Sequence, residues 1–248
     1  MTGWVRIIGI GPGDTALVTP QVTDALAQAT DAVGYIPYIK RLPDRPGLTK
    51  HASDNRVEID RARHALTMAV AGQRVIVVSS GDPGVFAMAS AVYEAVEAGP
   101  QSWRTLDIQV LPGITAMLAA SAACGAPLGH DFCAINLSDN LKPWEVIDRR
   151  LRLAAEADFA MAFYNPRSAS RPEGFARALD TLNDACGDVR PMIFARNVSL
   201  PDQTIRIVPL PDTTPDMADM RTVVLLGSSR TRIIQRDGAP FVYTPRSI

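Results

Sequence analysis

The chain has 248 residues, with 25 lysine and arginine residues against 26 aspartate and glutamate residues, and a formal net charge of -1 at pH 7. Hydrophobic residues make up 47% of the chain and charged residues 21%, which is typical of a globular protein and excludes a mainly disordered chain. The near-neutral charge lacks the basic excess of a general nucleic-acid binder. We therefore expect one large domain or two smaller ones.

The cysteines and the N-terminal segment bear on location and cofactors. Cys124, Cys133 and Cys186 form no C-x-x-C pair, so we expect neither a disulfide framework nor a metal cluster. The N-terminal segment lacks a basic stretch followed by an apolar run, so no signal peptide is predicted. No apolar run approaches the ~18–20 residues that span a bilayer. These features predict a cytoplasmic protein without a membrane partner.

In the first half of the chain, short apolar runs alternate with longer helical patterns. The β-branched run over residues 5–10 predicts a strand buried on both faces, and Thr19-Pro20 predicts the N-cap and first residue of a helix that ends near Ala29. The remaining predicted elements are strands at 32–36, 74–79 and 106–111 and helices at 59–71 and 86–98.

After Pro112-Gly113 the alternation restarts. Helices are predicted at 114–123, 144–155 and 172–185, and strands at 132–137, 159–164, 192–195, 204–210, 222–226 and 241–244. The last strands follow one another without long helices between them, which predicts a mixed sheet. The whole pattern predicts two α/β domains, residues 1–112 and 113–248.

The first predicted strand ends in the glycine-rich loop G-I-G-P-G-D, residues 9–14. Such a turn lets a backbone approach a ligand closely, and it suggests a nicotinamide-dependent oxidoreductase or a purely structural turn as alternatives. In a dinucleotide-binding turn, however, the helix opens within the glycine run and an acidic residue closes the second strand. Here Pro12 interrupts the run, and the second strand ends in Gly34-Tyr35.

Two more loops follow predicted strands. S-S-G-D-P-G-V, residues 79–85, places Asp82 where open α/β sheets bind ligands; alternatively, Asp82 caps the next helix. L-P-G-I-T-A, residues 111–116, places Thr115 in a similar position, again with a helix cap as the alternative.

Together, the three loops resemble the S-adenosylmethionine site of the tetrapyrrole (corrin/siroheme) methyltransferase family, which carries GxGPGD, GDP and PG(I/V)(S/T)(A/S) loops in this order. The resemblance covers essentially the whole chain and implies two α/β domains with the methyl donor in a cleft between them. The donor-binding residues that the resemblance implies are Gly11, Pro12, Gly81, Asp82, Val85, Thr115, Ala116, Tyr164, Asn165 and Val198.

Further segments are similar to one branch of that family, the ring-contracting enzymes of cobalamin biosynthesis. They are P-L-G-H-D-F at 127–132, L-S-D at 137–139, P-W-E at 143–145, Y-N-P-R-S at 164–168 and G-Y-x-x-Y at 34–38. After Arg196-Asn197, the residues Val198-Ser199 depart from the usual glycine-containing continuation.

This branch similarity implies methyl transfer to C-17 of precorrin-3B with contraction to precorrin-4, releasing S-adenosylhomocysteine. A cobalt-loaded precorrin-3 is the alternative substrate. A tetrapyrrole carrier without catalytic activity is a further alternative.

Methyl transfer from a sulfonium mainly needs positioning, whereas ring contraction suggests acid–base assistance. Two nearby polar pairs flanking one predicted strand are the candidates: His130 and Asp131, and Ser138 and Asp139. His130 could instead hold a turn after Gly129.

Basic residues suit a polycarboxylate substrate, and lysine occurs only at Lys40, Lys50 and Lys142, so 22 basic residues are arginine. This skew can also reflect genome base composition. The predicted substrate-binding residues are Arg167, Arg171 and Tyr35; a surface charge is the alternative for Arg167.

The small-residue segment 116–126 and the family's usual state predict a homodimer, unless that helix is simply buried core.

Overall fold

The computed structural model describes residues 3–54 and 57–247. Its contacts divide the chain into two compact units, Met1–Thr115 and Ala116–Ile248. The predicted boundary after Pro112 lies three residues before this division. No helix among the described residues is long and apolar enough to cross a membrane.

The first unit contains a five-stranded sheet in the order β3-β2-β4-β1-β5, in which every pairing is parallel. Its strands are β1 (Trp4–Gly9), β2 (Asp31–Tyr35), β3 (Thr49–Ser53), β4 (Arg74–Ser79) and β5 (Asp107–Leu111). Because the strands are parallel, their carboxyl ends lie at one edge of the sheet, and all three glycine-containing loops start there.

Helices cover both faces of this sheet. They are α1 (Pro20–Gln28), α2 (Ile36–Ile39), α3 (Glu58–Val70), α4 (Met88–Ala98) and α5 (Gln101–Arg104). Val75 and Val77 of β4 pack with α3 and α4, whereas Ile76 and Val78 face α1 and α2. This two-sided burial explains why the strand is continuously apolar.

The second unit contains a mixed sheet in the order β10-β9-β11-β8-β7, as its consecutive strands predicted. Only β7 and β8 pair in parallel; the other three pairings are antiparallel. Three further strands form a separate small sheet in the order β12-β13-β6. The strands are β6 (Gly125–Ala126), β7 (Phe132–Asn136), β8 (Ala160–Tyr164), β9 (Pro191–Arg196), β10 (Thr204–Pro209), β11 (Thr222–Leu226), β12 (Arg232–Ile234) and β13 (Phe241–Tyr243).

Three helices complete the second unit: α6 (Ala116–Cys124), α7 (Trp144–Glu156) and α8 (Gly174–Cys186). One face of the mixed sheet, which includes Phe163 and Phe194, packs with α7 and α8. The other face, which includes Ala162 and Ile193, packs with α6 and with Val242 of β13. This unit therefore also encloses an apolar core on both sides of its sheet.

Most predicted elements are confirmed, including the start of α1, where Thr19 Oγ1 accepts a hydrogen bond from Val22 N. The helix predicted from Phe86 instead starts at Met88, because Phe86 has a φ of 52° and Ala87 is extended. The helix predicted over 114–123 starts later as well, at Ala116. The edge strand β3 was missed, since its sequence T-K-H-A-S lacks a strong apolar pattern.

Candidate active site

The first two loops of the first unit are joined through their backbones. Gly11 N donates to Gly81 O at 3.3 Å, and Gly81 N donates to Gly11 O at 2.9 Å. Both residues lie in the left-handed region, with φ values of 67° and 62°. Since other residues reach this region only at a cost, glycine is required for this pairing.

The third loop approaches the same place so closely that no side chain fits. A Cβ on Gly113 would lie 2.2 Å from Gly81 O and 2.7 Å from Gly9 O, and a Cβ on Gly9 would lie 2.4 Å from Gly81 O. Three separate glycines thus allow three backbones to meet at the carboxyl edge of the sheet. Bare backbone of this kind is what a closely bound ligand requires.

Asp82 fastens the second loop to the third. Its Oδ1 accepts from Gly84 N at 2.8 Å, and its Oδ2 accepts from Gly113 N at 3.0 Å. The alternative that Asp82 caps the following helix is wrong: Ser79 Oγ accepts from Met88 N, the first residue of α4. The Asp82 carboxylate therefore shapes the loops themselves.

The other predicted residues of the first unit lie on or beside these loops. Pro12 and Val85 are half-buried, and Thr115 is buried. Tyr35, at the end of β2, packs edge-to-face against Tyr38 with ring centroids 5.3 Å apart. Burial, with a smaller contribution from Tyr35, raises the pKa of Tyr38, so the Tyr38 phenol stays neutral in the physiological range.

One residue beside these loops was missed from the sequence. The Arg41 guanidinium donates to the carbonyl oxygens of Ile10, Gly11 and Gly13 in the first loop, and to Ser80 Oγ in the second. Its position three residues after the G-Y-x-x-Y motif was the available signal, but only the packing of α2 directs its side chain to the loop.

In the second unit, a half-buried amide joins two of the predicted segments. Asn136 Oδ1 accepts from Ser138 N at 2.9 Å and from Asn165 Nδ2 at 3.1 Å. The backbone adds a bond from Leu137 N to Tyr164 O. The L-S-D and Y-N-P-R-S segments therefore lie together at the carboxyl ends of β7 and β8, and Asn136, which the sequence analysis missed, holds them there.

Tyr164 links this edge to the start of α6. Its hydroxyl oxygen accepts a hydrogen bond from Met117 N at 3.1 Å, next to Ala116, the first residue of that helix. The first N–H groups of a helix have no partner within it, so this hydroxyl satisfies one of them. Tyr164 and Ala116, two of the predicted donor-binding residues, therefore lie close together in the second unit.

Val198 lies at the same edge, because β9 ends at Arg196 beside the start of β11. Its side chain is buried in the core, so any ligand contact would come from its backbone. Its neighbours Asn197 and Ser199 have φ values of 49° and 66°. Asn197 and Ser199 thus adopt a backbone conformation that glycine reaches without strain.

The four predicted acid–base residues are not brought together. His130 and Asp131 precede β7, with Nδ1 and Oδ2 3.7 Å apart, whereas Ser138 and Asp139 follow it. The five residues of β7, at about 3.3 Å each, separate the pairs by roughly 15 Å. The two pairs therefore flank β7, as predicted, and stand at opposite ends of an extended strand.

Lys142 also escaped the sequence analysis. Its Nζ donates to Asn136 O at 2.7 Å and to Ser138 O at 3.3 Å. These two bonds hold the backbone of the L-S-D segment in place. Burial lowers the pKa of Lys142, Arg150 lowers it further, and Asp139 opposes both. The lysine directly precedes the P-W-E segment, but nothing in its spacing predicted this contact.

The predicted substrate arginines flank a tight turn. Ser168 and Arg171 exchange backbone hydrogen bonds of 3.4 and 3.1 Å, which folds the segment after Tyr164 back on itself. Arg167 Nε is buried and has no hydrogen-bond partner among the described residues. Among residues 3–54 and 57–247, no group of three or more His, Cys, Asp or Glu side chains could hold a metal ion.

Comparison with known proteins gives the family. The model of the tetrapyrrole (corrin/porphyrin) methylases matches residues 5–214, most of the chain. This chain belongs to the tetrapyrrole methylases.

Among curated members of the family, a precorrin-3B C(17)-methyltransferase from Sinorhizobium sp. is 53% identical over 99% of this chain and 97% of its own length. A probable cobalt-factor III C(17)-methyltransferase from Salmonella typhimurium is 38% identical over 98% of both chains. The Mycobacterium tuberculosis protein CobIJ is 44% identical over 99% of this chain, which spans 48% of that protein.

Solved methylase structures agree with this assignment. The crystal structure of the methyltransferase CobJ has a TM-score of 0.94 and 64% identity, and it covers 98% of this chain and 100% of its own. A Thermus thermophilus uroporphyrin-III C-methyltransferase complexed with S-adenosylhomocysteine has a TM-score of 0.68 and 21% identity, covering 91% and 97% of the two chains. The second likeness shows the fold alone.

Proposed function

We propose that this methylase transfers a methyl group from S-adenosylmethionine to C-17 of precorrin-3B and contracts the macrocycle to precorrin-4. The observation that carries the proposal is the meeting of three glycine-containing loops at one sheet edge, fastened by Asp82, in a chain 53% identical to a precorrin-3B C(17)-methyltransferase. The donor would leave as S-adenosylhomocysteine.

The residues of the first unit suit donor binding. S-adenosylmethionine supplies a methyl group on a sulfonium, which already carries a good leaving group. The protein therefore has to position two reactants and exclude water, rather than generate a nucleophile with a metal. Backbone fixed by the Gly11–Gly81 pairing and by Asp82 offers such positioning without a dedicated catalytic side chain.

Arg167 and Arg171 suit a substrate that carries many carboxylates. An arginine N–H without a partner is ready to donate to a carboxylate, and such charge-assisted bonds are stronger than neutral ones. The tight turn closed by the backbone bonds between Ser168 and Arg171 holds both arginines in one folded segment. We therefore assign both of them, with Tyr35, to the macrocycle rather than to the donor.

For ring contraction, the pair after β7 is favoured over the pair before it. Ser138 and Asp139 lie at the same edge as Tyr164 and Asn165, held there by Asn136. His130 and Asp131 lie at the other end of the strand. We propose that Asp139 or Ser138 moves the proton at the macrocycle, and that the His130 pair acts elsewhere on the substrate or holds its turn.

A labelled-transfer assay tests the proposed function. Purified protein is incubated with methyl-labelled S-adenosylmethionine and either metal-free precorrin-3B or cobalt-loaded precorrin-3. We expect label in a contracted product from the metal-free substrate. Preference for the cobalt complex would show that cobalt-loaded precorrin-3 is the substrate. Macrocycle binding without label transfer would support the alternative of a tetrapyrrole carrier without catalytic activity.

Calorimetry separates the oxidoreductase alternative. We expect S-adenosylhomocysteine to bind and NAD to give no heat. Binding of NAD without binding of S-adenosylhomocysteine would indicate that the first glycine loop forms a nicotinamide site, and it would contradict the proposal.

We also infer a homodimer from the small-residue helix α6. In the described chain, Ala120, Ser121 and Cys124 of α6 are buried within the second unit, whereas Leu118 is 48% exposed. Leu118, with the exposed Ala122 and Ala123, is available to contact a second copy. Sedimentation is expected to give a dimer at micromolar concentration, and a monomer there would reject the inference.

A further inference from the structure

Arg41 makes more contacts with the first glycine loop than any other side chain described above. Its Nη2 donates to Ile10 O at 2.9 Å and to Gly11 O and Gly13 O at 3.2 Å, and its Nη1 reaches Ser80 Oγ at 3.3 Å. A single guanidinium thus contacts both of the loops that the Gly11–Gly81 pairing joins. Three of its four partners are backbone carbonyls of one loop.

The fold carries Arg41 to this position through Gly34. A Cβ on Gly34 would lie 3.1 Å from Ile39 Cδ1 and 3.2 Å from Val78 Cβ, so the absent side chain lets α2 pack directly on β2 and β4. Leu42, the next residue after Arg41, is buried and anchors the end of this turn. The side chain between these two anchors is consequently directed at the loop.

The electrostatics of this contact are unusual for a structural arginine. Arg41 forms no ion pair with any of the described residues. Burial lowers the pKa of its guanidinium, and the nearby Tyr38 opposes that shift. Three carbonyl oxygens that converge on one point repel one another, and a half-buried cation without a carboxylate loses part of its hydration. Each group therefore depends on the other, and removal of the cation would release the carbonyls.

We propose that Arg41 is a positioning residue for the methyl donor: it holds the first glycine loop in the conformation that binds S-adenosylmethionine. This inference rests on the proposed function. In a trans peptide, C=O and the following N–H point in opposite directions. Holding the Gly13 carbonyl therefore also sets the direction of the next N–H, that of Asp14. Arg41 acts through the loop and need not touch the donor.

Arginine suits this role better than lysine. The guanidinium is a rigid planar fork with five donors, whereas an ammonium is a compact point charge on a flexible stem. Four acceptors spread over two loops require the fork. Arg41→Lys keeps the charge but loses the geometry, so it separates positioning from simple charge compensation.

Arg45 provides a matched control in the same unit. Its guanidinium also donates to backbone carbonyls, those of Leu26 and Ala29 at the end of α1, away from the glycine loops. Arg45→Met therefore removes an arginine–carbonyl cluster of the same kind. It is expected to lower the melting temperature without changing the donor site.

The test measures S-adenosylhomocysteine affinity by calorimetry, thermal melts and the KM of each substrate for Arg41→Met, Arg41→Lys and Arg45→Met. For Arg41→Met we expect affinity to fall about 10- to 100-fold, with a parallel rise in the donor KM. The tetrapyrrole KM and the affinity of Arg45→Met are expected to stay within about twofold of the parent. Arg41→Lys is expected to remain at least about fivefold weaker than the parent.

Parent-like affinity in a folded Arg41→Met protein would overturn the inference, and so would an equal loss in Arg45→Met. If Arg41→Met does not fold, Arg41→Lys decides: parent-like affinity rejects the inference, and a selective rise in donor KM supports it. A parent protein that binds no S-adenosylhomocysteine would instead reject the proposed function, and this inference with it.

Discussion

The loops at the carboxyl edges of the two large sheets are built in different ways. In the first unit, left-handed backbone falls on Gly11, on Gly81 and, at the end of the second loop, on Phe86, and close approach falls on Gly9 and Gly113. In the second unit, Asn165, Asn197 and Ser199 carry the left-handed backbone. The first set of loops depends on missing side chains together with the hydrogen bonds of Asp82 and Arg41, whereas the second set depends on side-chain hydrogen bonds.

This difference has a chemical meaning. Loops made of bare backbone present N–H and C=O groups at close range, which suits a donor shared by a whole family of enzymes. Asn136, which joins Asn165 to the L-S-D segment, and Asp202, whose Oδ2 accepts from Asn197 Nδ2 at 2.6 Å, hold side chains in place instead. Fixed side chains suit recognition of one macrocycle.

The largest expected effect concerns acid–base chemistry in the second unit. Asp139→Asn is expected to slow formation of the contracted product by about 10²–10⁴-fold, because a positioned general acid or base contributes that much. Product formation is followed chromatographically, and calorimetry should show unchanged S-adenosylhomocysteine binding.

His130→Ala is the matched variant at the other end of β7. We expect it to slow the product less than Asp139→Asn does. If His130→Ala instead gives the full 10²–10⁴-fold loss, the acid–base group lies before the strand, and the assignment of Asp139 is contradicted.

Gly113→Ala tests the bare-backbone design of the first unit. The added Cβ would lie 2.2 Å from Gly81 O, so the loops must separate. We expect S-adenosylhomocysteine affinity to fall more than about 100-fold, with a stability loss of about 1–3 kcal/mol. Calorimetry and urea unfolding measure the two.

The control for Gly113→Ala is Gly174→Ala, where the nearest atom would be 4.0 Å away. Because Gly174 opens α8 and has room for a methyl group, we expect no loss of stability or affinity there. Equal losses in both variants would mean that loop packing is not the cause.

Asp82→Ala should loosen the same loops less severely. It removes two acceptors, for Gly84 N and Gly113 N, and should weaken S-adenosylhomocysteine binding by about 1.5–3 kcal/mol. Ser79→Ala removes the bond at the start of α4 and should cost about 1 kcal/mol of stability while leaving affinity unchanged. A reversal of these two effects would restore Asp82 to the role of a helix cap.

Asn136→Ala breaks the link between the loops of the second unit. Two donors, Ser138 N and Asn165 Nδ2, lose their acceptor, so we expect a stability loss of about 1–2 kcal/mol and slower methyl transfer. Asn136→Asp keeps an acceptor oxygen for both donors and should retain more of each property. Urea unfolding and labelled transfer compare the pair, and equal behaviour would show that the shared oxygen is unimportant.

The smallest effect is expected at the amino end of the first sheet. Arg6 Nη2 donates to Asp107 Oδ2 at 2.6 Å, which lowers the pKa of that carboxyl. The stabilisation is therefore present above about pH 4, the unfolded value, and is lost as the pH falls through the lower folded value. Since Asp107 is 54% exposed, solvent screening limits it to less than about 1 kcal/mol.

Arg6→Met is expected to lower the free energy of unfolding by this small amount at pH 7, and its difference from the parent should be smaller at pH 3. Urea titrations at the two pH values measure the difference. An equally large loss at both values would point to lost packing of the arginine against Trp4, whose ring centroid lies 4.8 Å from its guanidinium carbon.

Short-range patterns were sufficient for much of the fold. The strand at 74–79 and the start of α1 follow from an apolar run and from a Thr-Pro cap, both of which act within a few residues. The edge strand β3 was missed because its half-exposed residues need no apolar pattern. Its strand structure comes from backbone pairing with β2, which is a contact between distant parts of the chain.

The sequence by itself determined the α/β class, the three loops and their order, because glycine, proline and alternating apolar runs act locally. Only the tertiary structure decided which side chains hold those loops. Arg41, Asp82 and Asn136 each bond to backbone or side-chain groups that lie far along the chain from them. The separation of His130 from Ser138, by contrast, follows from the strand predicted between them, because an extended strand carries its two ends to opposite edges of a sheet.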